Sequence, residues 1–75
     1  MDYSKITELD LSNKELTKLP DLSLYTNLKK LHCSNNKIVT LDNLPLTLTY
    51  LDCDSNPFTY DFTPTLENIR KYKKI

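Results

Sequence analysis

The sequence predicts an α/β-type repeat solenoid, in which short strands from successive coils form one parallel sheet on one side. We expect irregular or 3-10 return segments and few or no α-helices. The segment LHCSNNKI (31–38) reappears twenty residues later as LDCDSNPF (51–58), and a weaker copy, LDLSNKEL (9–16), lies 22 residues upstream. Each copy alternates apolar and polar residues, as a strand with one buried face does. A single short strand cannot bury its apolar face alone, so we expect the copies to stack around a shared core.

The copies align on the leucine that opens each of them, Leu9, Leu31 or Leu51. The next aligned apolar residues, two and seven positions further on, are Leu11, Cys33 and Cys53, then Leu16, Ile38 and Phe58. We therefore predict a single domain over residues 1–75. Its coils are expected at approximately 6–27, 28–47 and 48–65, followed by a partial terminal coil or cap at 66–75.

Two segments, LKKLHCSNNKIVTLDNLP (28–45) and LTLTYLDCDSNPF (46–58), resemble the leucine-rich repeat family. They are most similar to the short repeats of bacterial effectors and of giant-virus and amoebal proteins, in which Cys often replaces the middle Leu and Leu-Pro closes the unit. The resemblance covers about residues 6–58 and implies a solenoid that makes protein–protein contacts. The chain departs from the family pattern at Lys14, where Asn is expected, and after Phe58.

Asn36 and Asn56 occupy the position at which the chain leaves each strand and bends. The family resemblance implies that these amides lie inside the coil and bond backbone groups that the bend leaves unpaired. We therefore interpret both residues as structural, since a buried backbone group without a partner costs about 1–3 kcal/mol. Lys14 has no acceptor atom, so we expect the first coil to be looser or to act as a terminal cap.

Cys33 and Cys53 stand where the pattern has a core leucine. A free cysteine packs as a small buried hydrophobe, and this structural role is the interpretation that we favour. A disulfide is an alternative because stacked strands lie about 4.8 Å apart, but equivalent Cβ vectors point in parallel rather than toward each other. A metal site is the weakest alternative, since no C-x-x-C pair is present.

The outward positions of the three strands define a surface that we call the strand face. Its residues are Glu8, Asp10, Lys30, His32, Tyr50, Asp52 and Asp54. Stacking is expected to place Lys30 beside Glu8 and His32 between Asp10 and Asp52, because equivalent residues of neighbouring strands form rows. A solvated, charge-balanced surface is the default interpretation of these rows. The alternatives are a partner-binding surface and a weak Asp-His-Asp metal site.

The segment LENIRKY (66–72) fits two structures. Counted from Pro64, it begins a fourth coil with a short strand, which is the interpretation that we favour. As a helix, it would begin with Thr63 as the N-cap and Pro64 at the first helical position. In either case we expect it to cover the end of the core. The cations Arg70, Lys71, Lys73 and Lys74 would then discourage further strand stacking.

Composition limits the function classes. Ten Lys and Arg balance ten Asp and Glu, which argues against general binding to nucleic acid or to a membrane surface. No secretory leader or membrane-spanning run is evident, and two cysteines are consistent with a reducing compartment. We therefore expect a cytoplasmic protein, in a host cytoplasm if it is viral or an effector.

The sequence favours a non-catalytic protein-interaction module whose strand face binds a protein partner. Tyr50 is the best candidate anchor, since tyrosine is enriched among residues that carry interface energy. The alternative is a structural, self-associating minimal repeat or a fragment of a longer repeat protein, with homo-oligomers formed through the open ends. An enzyme is the weakest hypothesis, because one His without a phosphate loop or a nucleophile–base pair gives little to build a site from. We expect no cofactor and no metal.

Overall fold

The computed structural model describes residues 2–41 and 44–72. A 3-10 helix at Tyr3–Lys5 precedes three strands, β1 (Glu8–Asp10), β2 (Lys30–His32) and β3 (Tyr50–Asp52), and the α-helix α1 (Leu66–Tyr72) follows them. Within these residues, the segments between the strands contain no helix. The structure confirms the predicted class, a small solenoid with a parallel sheet. No helix of the described residues has the length and apolar character that crossing a membrane requires.

The three strands form one parallel sheet in the order β1-β2-β3. Leu9, Leu31 and Leu51 lie directly opposite one another. The ladder continues past the strand ends, where the Leu11 N–H donates to the His32 carbonyl (2.6 Å) and the Cys33 N–H donates to the Asp52 carbonyl (2.7 Å). The repeat spacing of 22 and then 20 residues therefore corresponds to one coil of backbone lying on the next, as predicted.

The second coil supplies most of the fully buried core. Its inward residues Leu28, Leu31, Cys33, Ile38 and Leu41 are all 0% exposed. The aligned residues of the first coil, Ile6, Leu9, Leu11, Leu16 and Leu19, are only partly buried. This difference follows from stacking, because among the described residues the second coil has a neighbouring coil on each side whereas the first coil has one.

Each coil bends through a residue in the left-handed region at the same position. Asn13, Asn35 and Ser55 have φ values of 59°, 56° and 59°. The chain has no glycine, and asparagine is among the few other residues that adopt this conformation readily. The third coil uses serine there instead. The residue that follows each bend is Lys14, Asn36 or Asn56.

The Asn36 side chain joins the first two coils. Its Oδ1 accepts hydrogen bonds from the backbone N–H groups of Lys14 and Leu16, both at 3.0 Å. Its Nδ2 donates to the carbonyls of Leu11 (2.9 Å) and Cys33 (3.0 Å), and the residue is 7% exposed. One buried amide therefore satisfies backbone groups of its own coil and of the preceding coil, which extends the structural role predicted for it.

Asn56 makes the same connection between the second and third coils. Its Oδ1 accepts from the Ile38 N–H (3.1 Å), and its Nδ2 donates to the carbonyls of Cys33 and Cys53, each at 3.0 Å. Each asparagine thus completes the bend of the coil before it. Lys14 belongs to the first coil, which has no described coil before it, so the departure from the pattern removes no such bond. The bend at Lys14 is instead closed by Asn36.

The return segment of the third coil contains a column of aromatic rings. Phe58, Tyr60 and Phe62 stack with ring centroids 5.6 and 4.7 Å apart, and all three pack against the core cluster that contains Cys33 and Ile38. The Tyr60 hydroxyl also accepts a hydrogen bond from the Leu41 N–H at 2.8 Å. Aromatic residues therefore replace the aliphatic residues of the earlier return segments where the chain approaches its last element.

The interpretation of residues 66–72 as a terminal strand was wrong, because this segment forms helix α1. The Thr65 hydroxyl accepts a hydrogen bond from the Asn68 N–H (3.1 Å), so Thr65 caps the helix rather than Thr63. Ile69 is 1% exposed and belongs to the core cluster with Cys53. The helical spacing of apolar residues thus covers the end of the core. Lys73 and Lys74 lie outside the described residues.

The Arg70 side chain connects α1 to the second and third coils by hydrogen bonds. One guanidinium nitrogen donates to the carbonyls of Leu48 (2.9 Å), Pro45 (3.4 Å) and Leu46 (3.4 Å). Lys71, one residue later, only reaches Glu67 in an exposed pair at 3.3 Å. The two neighbouring cations therefore have different roles, and Arg70 acts as a donor to the backbone of the second and third coils.

We predict that Asn36→Ala lowers the free energy of unfolding by at least about 2 kcal/mol, because it leaves several buried backbone groups without partners. Lys14→Ala, at the aligned position of the first coil, should change it by less than about 0.5 kcal/mol. Urea denaturation followed by circular dichroism measures both values. Equal losses in the two variants would contradict the bridging role of Asn36.

We also predict that Arg70→Ala destabilises the protein by about 1–2 kcal/mol, since carbonyl groups that it now satisfies lose a charged donor. Lys71→Ala is the matched control and should cost about 0.5 kcal/mol or less, as expected for an exposed ion pair. The same denaturation assay applies. If the Lys71 variant lost as much stability, the loss in Arg70→Ala could not be assigned to the hydrogen bonds between Arg70 and the carbonyls of earlier coils, because alanine itself favours the helix.

Candidate functional site

The strand face is built by the sheet register. Glu8, Lys30 and Tyr50 form one row across the three strands, and all three side chains are exposed. A second row contains Asp10, His32 and Asp52. Asp54 follows two residues after β3 and is exposed. The structure therefore brings all seven predicted residues to one surface.

His32 lies at the centre of the strand face, with a carboxylate on each side. Its Nε2–H donates to Glu8 Oε2 at 2.7 Å, and its Nδ1 lies 3.9 Å from Asp52 Oδ2. The sequence placed His32 between Asp10 and Asp52, which holds for the backbone register. The first side-chain partner, however, is Glu8 rather than Asp10, because the longer glutamate side chain reaches diagonally across the strands.

The Asp10 carboxylate is hydrogen-bonded within the turn that follows β1. Its Oδ1 accepts a hydrogen bond from the Ser12 N–H at 2.9 Å. The Ser12 backbone N–H, followed by the Ser12 hydroxyl, lowers the pKa of the Asp10 carboxyl, so this residue carries a negative charge at neutral pH. Asp10 thus adds charge to the strand face while its oxygen is held by the turn.

Lys30 and Glu8 are opposite each other in the register, yet Glu8 turns to His32. Among the described residues, the Lys30 ammonium and the Asp54 carboxylate have no ion-pair partner within 4 Å. Lys30 therefore lies beside Glu8 in the register, although no ion pair joins their side chains among the described residues. The Lys30 ammonium and the Asp54 carboxylate are thus both available to a molecule in solution.

Tyr50 is 47% exposed and lies beside His32, with ring centroids 5.5 Å apart and planes inclined by 53°. The phenol ring contacts the imidazole on one side, while the residue as a whole is nearly half exposed. This combination of a large apolar surface and a hydroxyl is typical of residues that anchor interfaces.

Cys33 and Cys53 lie beneath the strand face, in one core cluster, and both are free thiols. Burial raises the pKa of Cys33 to about 12 and that of Cys53 to about 11. The Cys53 Sγ donates to the Pro64 carbonyl at 3.2 Å. These thiols are buried and protonated at neutral pH, and a reactive cysteine requires the opposite conditions.

Charged side chains, one imidazole and one exposed tyrosine make up the strand face. Among residues 2–41 and 44–72, no cluster of three or more His, Cys, Asp or Glu side chains is placed to hold a metal ion. The Ser34 hydroxyl donates to the Ser12 hydroxyl at 3.2 Å, so it is not held by His32 in a nucleophile–base arrangement of the kind that activates a serine.

A second surface feature was missed by the sequence reasoning. A groove of about 880 Å³ lies along the return segments of the first two coils, lined by Leu22, Tyr25, Pro45 and Leu46 among others. Leu46 is 93% exposed and Leu24 is 63% exposed. Leu24 precedes Leu46 by 22 residues, at the aligned position, but it lies outside the lining of the groove. A leucine that recurs at an outward position was the signal in the sequence. Among the described residues that line the groove, Lys18 and Asp21 carry formal charges of opposite sign.

Comparison with known proteins supports the interpretation of the repeats. A family model described as Leucine Rich Repeat matches residues 27–46, which are almost the whole second coil. No curated protein and no solved structure matches the chain. Domains of that repeat class are typically protein-interaction modules and are typically non-catalytic.

The raised pKa values of the two buried thiols predict how the free energy of unfolding depends on pH. Since the folded-state pKa values of Cys33 and Cys53 lie above the ordinary thiol value of 9.0, the unfolded chain releases these protons first. Their contribution is fully present below pH 9 and should be lost as pH rises from 9 toward 11–12. The free energy of unfolding should therefore fall less steeply over pH 9–10.5 in a Cys33→Ala, Cys53→Ala variant. Identical slopes would contradict the burial of the thiols.

Proposed function

We propose that this chain is a leucine-rich repeat protein, as the match over residues 27–46 supports, and that it is a non-catalytic module that binds another protein through its strand face. The observation that carries the proposal is the alignment of the outward side chains. Three strands in register present two rows, Glu8-Lys30-Tyr50 and Asp10-His32-Asp52, on an exposed surface. Side chains of this kind, spaced across neighbouring strands, suit an extended protein surface.

The core beneath the strand face supports this role. Leu31 and Cys33 are 0% exposed, and the amides of Asn36 and Asn56 hold adjacent coils together. The backbone that carries the outward side chains is therefore already held in place by hydrogen bonds in the unbound protein. Pre-ordering of this kind reduces the entropy that binding must otherwise overcome.

The binding residues in this proposal are those of the strand face, with Tyr50 as the anchor. The balanced charge of the chain favours a protein partner over nucleic acid or a membrane surface. We further propose that residues 1–75 act as one unit, in the cytoplasm, without a cofactor. Asn36, Asn56, Cys33 and Cys53 serve the fold in this scheme and do not touch the partner.

Self-association is the second candidate function, and one observation favours it. Leu9 and Leu11 of the first coil remain partly exposed, whereas the aligned residues Leu31 and Cys33 are completely buried. Strand β1 is also at the edge of the sheet, where backbone groups can pair with another strand. A second copy stacked on this end would cover both features. The strand face would remain free in such an assembly.

The proposal predicts that Tyr50→Ala weakens capture of a protein partner from the native host by about tenfold or more, as for an interface anchor. Leu46→Ala is the matched control, because Leu46 is more exposed than Tyr50 but lies on the groove. Affinity capture with quantitative mass spectrometry compares the two variants with the unaltered protein.

A partner lost equally with both variants would contradict binding through the strand face. Sedimentation at several concentrations then separates the second candidate. A homodimer that Tyr50→Ala leaves intact and that a charged substitution at Leu9 disrupts would support stacking through the open end.

A further inference from the structure

We infer that the partner segment recognised by the strand face is basic, an extended stretch of another protein that presents Lys or Arg side chains. This inference rests on the proposed function and adds the chemistry of the partner. It is carried by the distribution of charge over the surface and by the position of Tyr50 on the same strand as Asp52, with Asp54 two residues further on.

The charges of this neutral chain are segregated. The chain has ten Lys and Arg and ten Asp and Glu. The strand face contains four of the ten acidic residues, Glu8, Asp10, Asp52 and Asp54, but Lys30 is its one Lys or Arg. An electrically neutral molecule thus presents an acidic surface on one side, and a surface of one sign attracts and orients a partner of the other sign.

The third coil has the strongest means of recognising a cation. Tyr50, Asp52 and Asp54 are at alternate positions on and just after β3, and the ladder continues there, since the Asn35 N–H donates to the Asp54 carbonyl at 3.0 Å. Asp52 is 3.9 Å from the nearer imidazole nitrogen, a loose contact, and Asp54 has no ion-pair partner among the described residues. An aromatic ring beside carboxylates can hold a guanidinium through both a cation–π contact and charged hydrogen bonds.

The spacing of these residues favours an extended partner. Alternate residues of a strand are separated by about 6.6 Å, and the same spacing separates side chains on one side of an extended peptide. Two Arg or Lys residues at alternate positions of a partner segment can therefore face Asp52 and Asp54 together. A free metal ion fits this surface less well, since the described residues include no cluster of three donor side chains.

The test uses two synthetic peptides with the 75-residue chain at low ionic strength. One is an acetylated eight-residue peptide of alternating serine and arginine, and the other has glutamate in place of arginine. Binding is followed by ¹⁵N chemical-shift changes in a two-dimensional NMR titration. We expect the arginine peptide to perturb the amides of β2 and β3, the glutamate peptide to bind much more weakly, and added salt to reduce the affinity.

A pair of matched double variants makes the test specific. Asp52→Asn with Asp54→Asn should weaken binding of the arginine peptide about tenfold. Asp21→Asn with Glu67→Gln removes the same charge from other surfaces and should change the affinity less than about twofold. Circular dichroism confirms that each variant keeps its fold.

The inference is overturned if both double variants weaken binding equally, if the glutamate peptide binds as tightly, or if neither peptide perturbs the strand face. Its failure is distinguishable from that of the proposed function. Capture of a partner that depends on Tyr50, without binding of the arginine peptide, would leave the strand face as the interface and show that the partner is not basic there. Loss of both results would overturn both statements.

Discussion

The asparagine amide that links adjacent coils is the interaction on which the rest of the structure depends. A bend in the chain directs backbone N–H and C=O groups into a core where no water can satisfy them, and each unpaired group is costly. Asn36 satisfies such groups in the first and second coils, and Asn56 does so in the second and third. Parallel stacking of the strands, burial of Leu31 and Cys33, and the rows on the strand face all require that the coils keep this register.

The register also explains why the strand face combines order with free charge. In a parallel stack, the fold brings equivalent positions of adjacent strands together, so the register sets which side chains are neighbours. The Glu8 carboxylate contacts His32 diagonally across the strands, so it does not pair with Lys30, the residue opposite it in the register. The carboxylate of Asp54 is unpaired among the described residues. Charged groups without internal partners among the described residues are the physical basis for proposing that this surface binds a partner.

Much of the fold could be predicted, because the aligned leucines report a repeat of backbone geometry. The register of Glu8 with Lys30 and Tyr50 follows directly from that spacing. The structure of residues 66–72 could not be settled in this way, since Leu66 and Ile69 fit a helix and a shortened repeat equally well. Tertiary contacts decide it: Ile69 enters the core, and Arg70 reaches carbonyls of earlier coils. Likewise, aligning the repeats predicts only which residues lie directly opposite each other, so it did not predict the diagonal contact between Glu8 and His32.

The dependence of each coil on its successor has a consequence for how such a chain can lengthen during evolution. The amide of Asn56 completes the second coil in the way that the amide of Asn36 completes the first. A tandem duplication of twenty residues from the middle of the gene would therefore insert a unit whose bend is closed by the unit after it and whose own amide closes the unit before it. Helix α1 would still cover the last coil. The array can grow internally without inventing a new contact, whereas growth beyond α1 would first have to displace Ile69 and Arg70.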